Sequence, residues 1–141
     1  MKAEDRIAAL KARYPGAVTF TFGDSREMCE ELLALVRAGK KRATCGALRD
    51  FQEGGEPPPV PGRRDIALNW DGIPALVIET VDVTIKRFCD MDADFALAEG
   101  ENDTLAGWRE GHRAYFERNG GWSEEMELIC ERFRLIEDLT P

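Results

Sequence analysis

The sequence predicts an α+β domain: a mixed or barrel-like sheet of five or six strands with helices at its ends. Three observations carry this expectation. Alternating apolar positions mark several strands, with helical stripes between them. There is no regular βαβ alternation of the kind that builds a parallel sheet. A strong hairpin signal, Asp71-Gly72, joins two of the strands. At 141 residues, 43% hydrophobic and 33% charged, the chain suits one domain around a single core, spanning 1–141.

The elements follow in order. Ile7, Leu10 and Tyr14 share one face of an N-terminal helix over 4–14, which Pro15-Gly16 stops. Val18, Phe20 and Phe22 alternate as a strand. "GDSREMCEELLALVRAG" is a helix with Met28, Leu32, Leu35 and Val36 as its apolar stripe. Asp24 is its expected N-cap, paired with Glu27 in a capping-box pattern, and Gly39 stands where a left-handed C-cap glycine belongs. A strand is expected from about Ala43. "QEGGEPPPVPG" (Gln52 to Gly62), with four prolines and three glycines, reads as a surface loop within the domain. "DIALNW" and "IPALVIETVDVTIKRF" are the hairpin strands; on the second, Val77, Val81, Val83 and Ile85 share a face with Glu79. A short acidic helix over Asp92 to Glu99 and the loop "EGENDT" follow, with Asp103 or Thr104 as cap of the next helix. That helix, "LAGWREGHRAYFERN", gathers Leu105, Trp108, His112, Tyr115 and Phe116 and ends at Asn119-Gly120-Gly121. "MELICERFRLIE" is the last strand.

Charge and composition exclude several classes. With 27 acidic against 19 basic residues and a net charge of −8, no extended duplex-binding surface is expected. No apolar run approaches the roughly 18 residues that span a bilayer. The N-terminus lacks a secretory h-region, so the expectation is a cytoplasmic protein without membrane partners. Cys29, Cys45, Cys89 and Cys130 lie far apart and His112 is the single histidine, which is not zinc-site spacing; they read as free thiols, and neither metal nor cofactor is expected.

One junction stands out. In "LVRAGKKRATCGAL" a helix ends at Gly39, Lys40, Lys41 and Arg42 follow, and Thr44 opens a strand. Lysines at a helix C-terminus are favoured by the macrodipole, so a solvated cap is the plain reading. It leaves Thr44 unexplained. A lysine and a threonine that converge in a turn at a strand mouth form a site, because a lysine of lowered pKa takes a proton from a hydroxyl, which can then attack an acyl carbon.

"GKKRAT" also fits G-x-K-x-x-T, the hallmark of the ASCH domain family, whose fold is a small PUA-like β-barrel. "FGDSREMCEELLALVRAGKKRAT" resembles the opening of the larger bacterial ASCH proteins, "FALAEGENDTLAGWREGHRAYF" their acidic loop and following helix, and "ICERFRLIE" their closing strand, so that the likeness covers about 22–137. The resemblance implies a PUA-like mixed barrel of five to six strands with flanking helices. It also implies a relationship to RNA-binding modules and to a compact amidohydrolase of N(4)-acetylcytidine; another branch has been proposed to cleave RNA. Carried over residue by residue, the amidohydrolase set falls on Lys41, Thr44 and Glu101, with Glu99 as the alternative carboxylate. This chain is longer than the compact enzymes, by N-terminal residues and the proline-rich loop.

Each candidate has a plainer counterpart. Lys40 and Arg42 are flanking charges suited to attracting an anionic ligand. Thr44 is also an ordinary β-branched strand residue, and acidic loops such as that around Glu101 are commonly just solvated. Glu101 facing Lys41 would act in acid–base chemistry or keep the lysine charged, and the two roles conflict. Glu79, on an apolar parity, needs a partner, an open sheet end or a bulge. Trp108 and Tyr115, with Trp70 and Trp122, are stacking candidates, and most of the four are expected to be core. His112 reads as a packed core histidine.

Two functions of different class follow. One is a small hydrolase of an acylated nucleoside, with Thr44 attacking, Lys41 as base and Glu101 serving the leaving amine. The other is an RNA-binding module, or a ribonuclease using the same cations on phosphate. The expected partner is a nucleoside or single-stranded RNA, and the oligomeric state is open.

Overall fold

The computed structural model describes residues 2–52 and 55–140, so residues 53 and 54 of the proline-rich loop lie outside it. The chain runs α1 (Ala3–Arg13), β1 (Thr19–Thr21), α2 (Arg26–Arg37), β2 (Ala43–Ala47), β3 (Arg64–Leu68), β4 (Pro74–Arg87), α3 (Ala93–Ala98), α4 (Leu105–Arg118) and β5 (Glu127–Asp138). Short 3-10 turns follow β2 and β4. The five strands form one mixed sheet in the order β1-β3-β4-β5-β2, with β1 parallel to β3 and the other neighbours antiparallel. The expected α+β architecture is present, compatible with a PUA-like fold, but the sheet does not close. Its edges, β1 and β2, do not pair with each other among the described residues, so the barrel is open.

The open sheet has three packing regions. Helix α1 sets Leu10 against Ala17, Ile66 and Val77. Helix α2 presents Cys29, Leu32, Leu33 and Val36 to Leu76, Ile78 and Phe133. Helices α3 and α4 bring Phe95, Trp108 and Phe116 to Ala43, Ala47, Leu128 and Cys130. Strand β5 serves two of these through its period of two. Leu128 and Cys130 point to the α3–α4 side, and Phe133 to the α2 side. No described helix is long and apolar enough to cross a membrane.

Three local expectations are corrected. The N-cap of α2 is Ser25, whose hydroxyl accepts from Met28 N at 3.1 Å. Asp24 instead accepts from Arg118 and Asn119, and so ties the start of α2 to the end of α4. On β4 the register shifts between Thr80 and Asp82, an extra residue that turns the strand over. Val77 is therefore buried, while Val81 and Ile85 are 53% and 54% exposed. Glu79, a substrate-binding candidate, finds outside the cavity the partner that its apolar parity called for: it accepts from Arg64 at 3.0 Å and Arg134 at 2.8 Å, across β3 and β5. It is a cross-strand charge clamp rather than part of the site.

Candidate functional site

The site begins with the way α2 ends. Gly39 takes a left-handed φ of 77°, and the amides of Lys40 and Lys41 both return to Leu35 O, at 3.0 and 3.1 Å. The reversal directs the Lys41 side chain inward, to complete burial, while Lys40 and Arg42 stay exposed. The Arg42 amide donates to Ala98 O at 2.7 Å and locks the mouth of β2 to the end of α3.

The loop after α3 closes over this lysine. Gly100 has φ 76°, and a Cβ there would lie 2.4 Å from Lys40 O and 2.7 Å from Lys41 N. Only glycine fits so close a backbone approach. Gly100→Ala is therefore expected to cost about 1–2 kcal/mol through the left-handed backbone alone, and more through the clash. Thermal unfolding of the variant checks this, and an unchanged midpoint would contradict it.

That approach builds a buried charge cluster. Lys41 Nζ donates to Ala43 O and Glu101 Oε2, each at 2.9 Å, and lies 3.4 Å from Glu99 O and 3.5 Å from Glu99 Oε1. It also sits 5.7 Å from the centroid of the Phe22 ring. Burial pushes the lysine's pKa down, but Glu99 and Glu101 outweigh it and the net shift is upward. Lys41 is thus an ammonium. The expected lowered pKa is not met, because two carboxylates reach the group that burial would otherwise neutralise.

Glu99 is as deeply buried, its side chain 1% exposed. Burial raises its pKa, but Lys41, then His112 and the Trp108 indole, hold it below the usual carboxylate range. The Trp108 indole N–H donates to its Oε2, and His112 Nε2 lies 3.2 Å from the same oxygen. His112 Nδ1 is 2.9 Å from Trp108 O, a carbonyl that can only accept, so Nδ1 carries a proton. The ring stacks on the Trp108 indole at 4.2 Å between centroids. Burial opposes the imidazolium, but the Glu99 carboxylate outweighs it and raises the His112 pKa. Cys45, Glu99 and His112 place ligand atoms within 4.8 Å of one another. The Glu99 oxygens are, however, already approached by an ammonium, an indole N–H and the imidazole, a set of donors that suits a carboxylate better than a metal cation.

Beside the cluster opens a cavity of about 760 Å³, within the roughly 300–1,000 Å³ typical of small-molecule sites. Lys41, Thr44 and Glu101 line it together, and so do Glu99, His112 and Tyr115. Lys40, Arg42, Glu79 and Trp108 do not: the first two are solvated, Glu79 is clamped by its arginines, and Trp108 is fully buried beneath Glu99. Trp108 serves the site through its indole N–H rather than as a stacking surface. Glu101, with 23% of its side chain exposed, is the carboxylate of the pair that meets the open space, whereas Glu99 forms its floor.

Among the cavity residues that escaped the sequence reading, Glu131 bears most directly on Thr44. Glu131 on β5 lies directly across from Thr44 on β2 in antiparallel register, so the two side chains leave the sheet on the same face. Its signal was present in "LICERF": Glu131 shares the parity of Ile129 and Phe133, the same anomaly that drew notice to Glu79.

A family model for the ASCH domain matches residues 18–137. The chain belongs to the ASCH domain family. Two solved structures extend the likeness. A protein from Enterococcus faecalis V583 is 30% identical with a TM-score of 0.82, over 98% of this chain and 90% of that one. An ASCH domain from Lactobacillus crispatus JV V101 is 29% identical with a TM-score of 0.79, over 94% of this chain and 89% of that one. No curated protein matches the chain.

Proposed function

We propose that this ASCH domain is a small hydrolase that takes an uncharged, nucleoside-like amide, such as N(4)-acetylcytidine, into the cavity and cleaves its acyl group. The observation that carries the reading is the meeting of Lys41, Glu101 and Thr44 on one cavity of ligand size. Among the described residues its lining holds seven carboxyl side chains, with Glu31, Asp50 and Glu56 towards solvent, against the two cations Lys41 and Arg63. Such walls repel phosphate and accept a neutral ligand, which favours a nucleoside over an RNA backbone. The exposed Lys40 and Arg42 lie outside the lining and do not reverse that balance.

In this mechanism the Thr44 hydroxyl attacks the acyl carbon and the Lys41 ammonium stabilises the oxyanion. Lys41 passes a proton through Glu101 to the leaving amine, and water then hydrolyses the threonyl ester. Because Lys41 is already an ammonium, the proton of Thr44 must go elsewhere.

The test is conversion of N(4)-acetylcytidine to cytidine by the wild type and by Thr44→Ala. The wild type is expected to convert it, and Thr44→Ala to lose at least about 10²-fold in kcat. Full activity in Thr44→Ala would exclude the acyl-transfer route. Absence of conversion by the wild type, with steeply salt-dependent binding of single-stranded RNA, would favour the binding-module reading instead.

A further inference from the structure

We propose that Glu131 is the general base of this site, accepting the proton of the Thr44 hydroxyl as it attacks. The role rests on the hydrolase reading above and supplies the acceptor that the reading lacks.

The geometry comes first. Thr44 and Glu131 are direct cross-strand partners, so their Cβ atoms stand about 4.5–5.5 Å apart on one face of the sheet. Both line the cavity. Glu131 Oε2 is fixed by the Thr80 hydroxyl, which donates to it at 2.7 Å from β4. Among the described residues, Glu131 Oε1 has no hydrogen-bond partner, and Trp122 Nε1 is the fully buried side-chain polar atom left unpaired. Oε1 therefore opens on the cavity. The Thr44 hydroxyl likewise has no partner among the described residues, and Lys41 Nζ spends its donors elsewhere.

The electrostatics suit the task. Burial raises the Glu131 carboxyl to about 7. The groups that face it are Thr80 on β4, Asp65 on β3, Arg63 just before β3, and Lys41. Asp65 pushes it further up, while the Thr80 hydroxyl, Arg63 and Lys41 pull it down. Arg63 donates to both oxygens of Asp65, at 2.8 and 3.0 Å. A carboxylate poised near neutral pH is a far stronger base than an ordinary glutamate and is still ionised often enough to act. The site thus separates its arms: Lys41 and Glu101 hold the proton to be given, and Glu131 takes the one to be removed.

The step balances. The Thr44 Oγ–H bond breaks and its proton goes to Glu131 Oε1. The oxygen's electron pair forms the bond to the acyl carbon, whose carbonyl electrons move to the oxyanion. Collapse expels the amine with the proton delivered through Glu101. Water then attacks the threonyl ester and its proton passes through Glu101 to restore the Lys41 ammonium, while Glu131 returns its proton to the departing Thr44 oxygen and the acid is released.

The experiment is the pH–rate profile of N(4)-acetylcytidine hydrolysis for the wild type and Glu131→Gln, with the folded state of each verified by thermal unfolding. The wild-type kcat is expected to rise about tenfold per pH unit below the Glu131 pKa and to level off above it. Glu131→Gln is expected to lose about 10²-fold or more in kcat, to keep KM within a few-fold, and to lose the limb near neutrality. A variant with near wild-type kcat and an unchanged profile would overturn the role and leave the hydrolase intact. A folded wild type that converts nothing would overturn the hydrolase and this role with it.

Discussion

Lys41→Met is expected to destabilise the fold by about 3–5 kcal/mol, the usual cost of removing one partner from a buried ion pair. The methionine fills a similar volume, so the loss isolates the charge. It leaves Glu99, with a side chain 1% exposed, facing a thioether where an ammonium stood, and frees Glu101 from its anchor. His112 and Trp108 still reach Glu99 and keep the figure near the lower end. For a domain of this size the thermal midpoint should fall by roughly 10 °C. The effect is pH-dependent. Lys41 holds the Glu99 carboxyl below its ordinary value of 4.5, so the stability that the pair contributes is present above that value and disappears as pH falls through the folded-state pKa. The gap between wild type and variant should therefore be widest near neutral pH and shrink in acid. Chemical denaturation at several pH values reads both, and equal stabilities at neutral pH would show that the ion pair contributes nothing.

Glu131→Gln should do the reverse and stabilise the protein at neutral and alkaline pH. The Glu131 carboxyl is raised from 4.5 to about 7 in the fold. A raised acid favours the folded state below its unfolded value, and that contribution is lost as pH climbs through the folded one. Across this span of about 2.5 pH units the loss amounts to at most about 3 kcal/mol. Glutamine keeps the shape and the acceptor for Thr80 without the charge, so the variant should match the wild type near pH 4 and exceed it progressively up to pH 7. A glutamine variant that is less stable at pH 8 would contradict the raised pKa. A site that gains stability and loses turnover in one substitution is the trade expected of a working acid–base group.

Much of this site was legible in local spacing. The apolar stripe of α2, its glycine stop and the strand start after "GKKRAT" place Lys41 and Thr44 at one junction. Thr104, whose hydroxyl accepts from Gly107 N, was one of two caps that the sequence offered for α4. Errors arose where side chains from different elements compete. Asp24 had the right chemistry for a cap, but a guanidinium and an amide from the end of α4 claim it and Ser25 takes the turn. Trp108 had the spacing of a stacking aromatic, yet a carboxylate lying nine residues earlier turned it into a buried donor. Glu79 and Glu131 carry the same sequence signal with opposite outcomes, because arginines stand beside one and a threonine and an open cavity beside the other.

The sequence by itself determined the element order, the caps at Gly39 and the Asp71-Gly72 turn, and the family to which the chain belongs. The element order, the cap and the turn depend on periodicity and backbone preference within a few residues, and the family rests on the resemblance of motif and segment order over most of the chain. Only the tertiary structure decided that the sheet stays open, that β4 turns over at Val81, that Lys41 is an ammonium and that Glu131 stands beside Thr44. Lys41 meets carboxylates 58 and 60 residues away, and the Thr44–Glu131 pair is set by the register of two distant strands. Protonation state follows from which charges long-range packing brings within reach and how much water it excludes, and neither is written in the spacing of the chain.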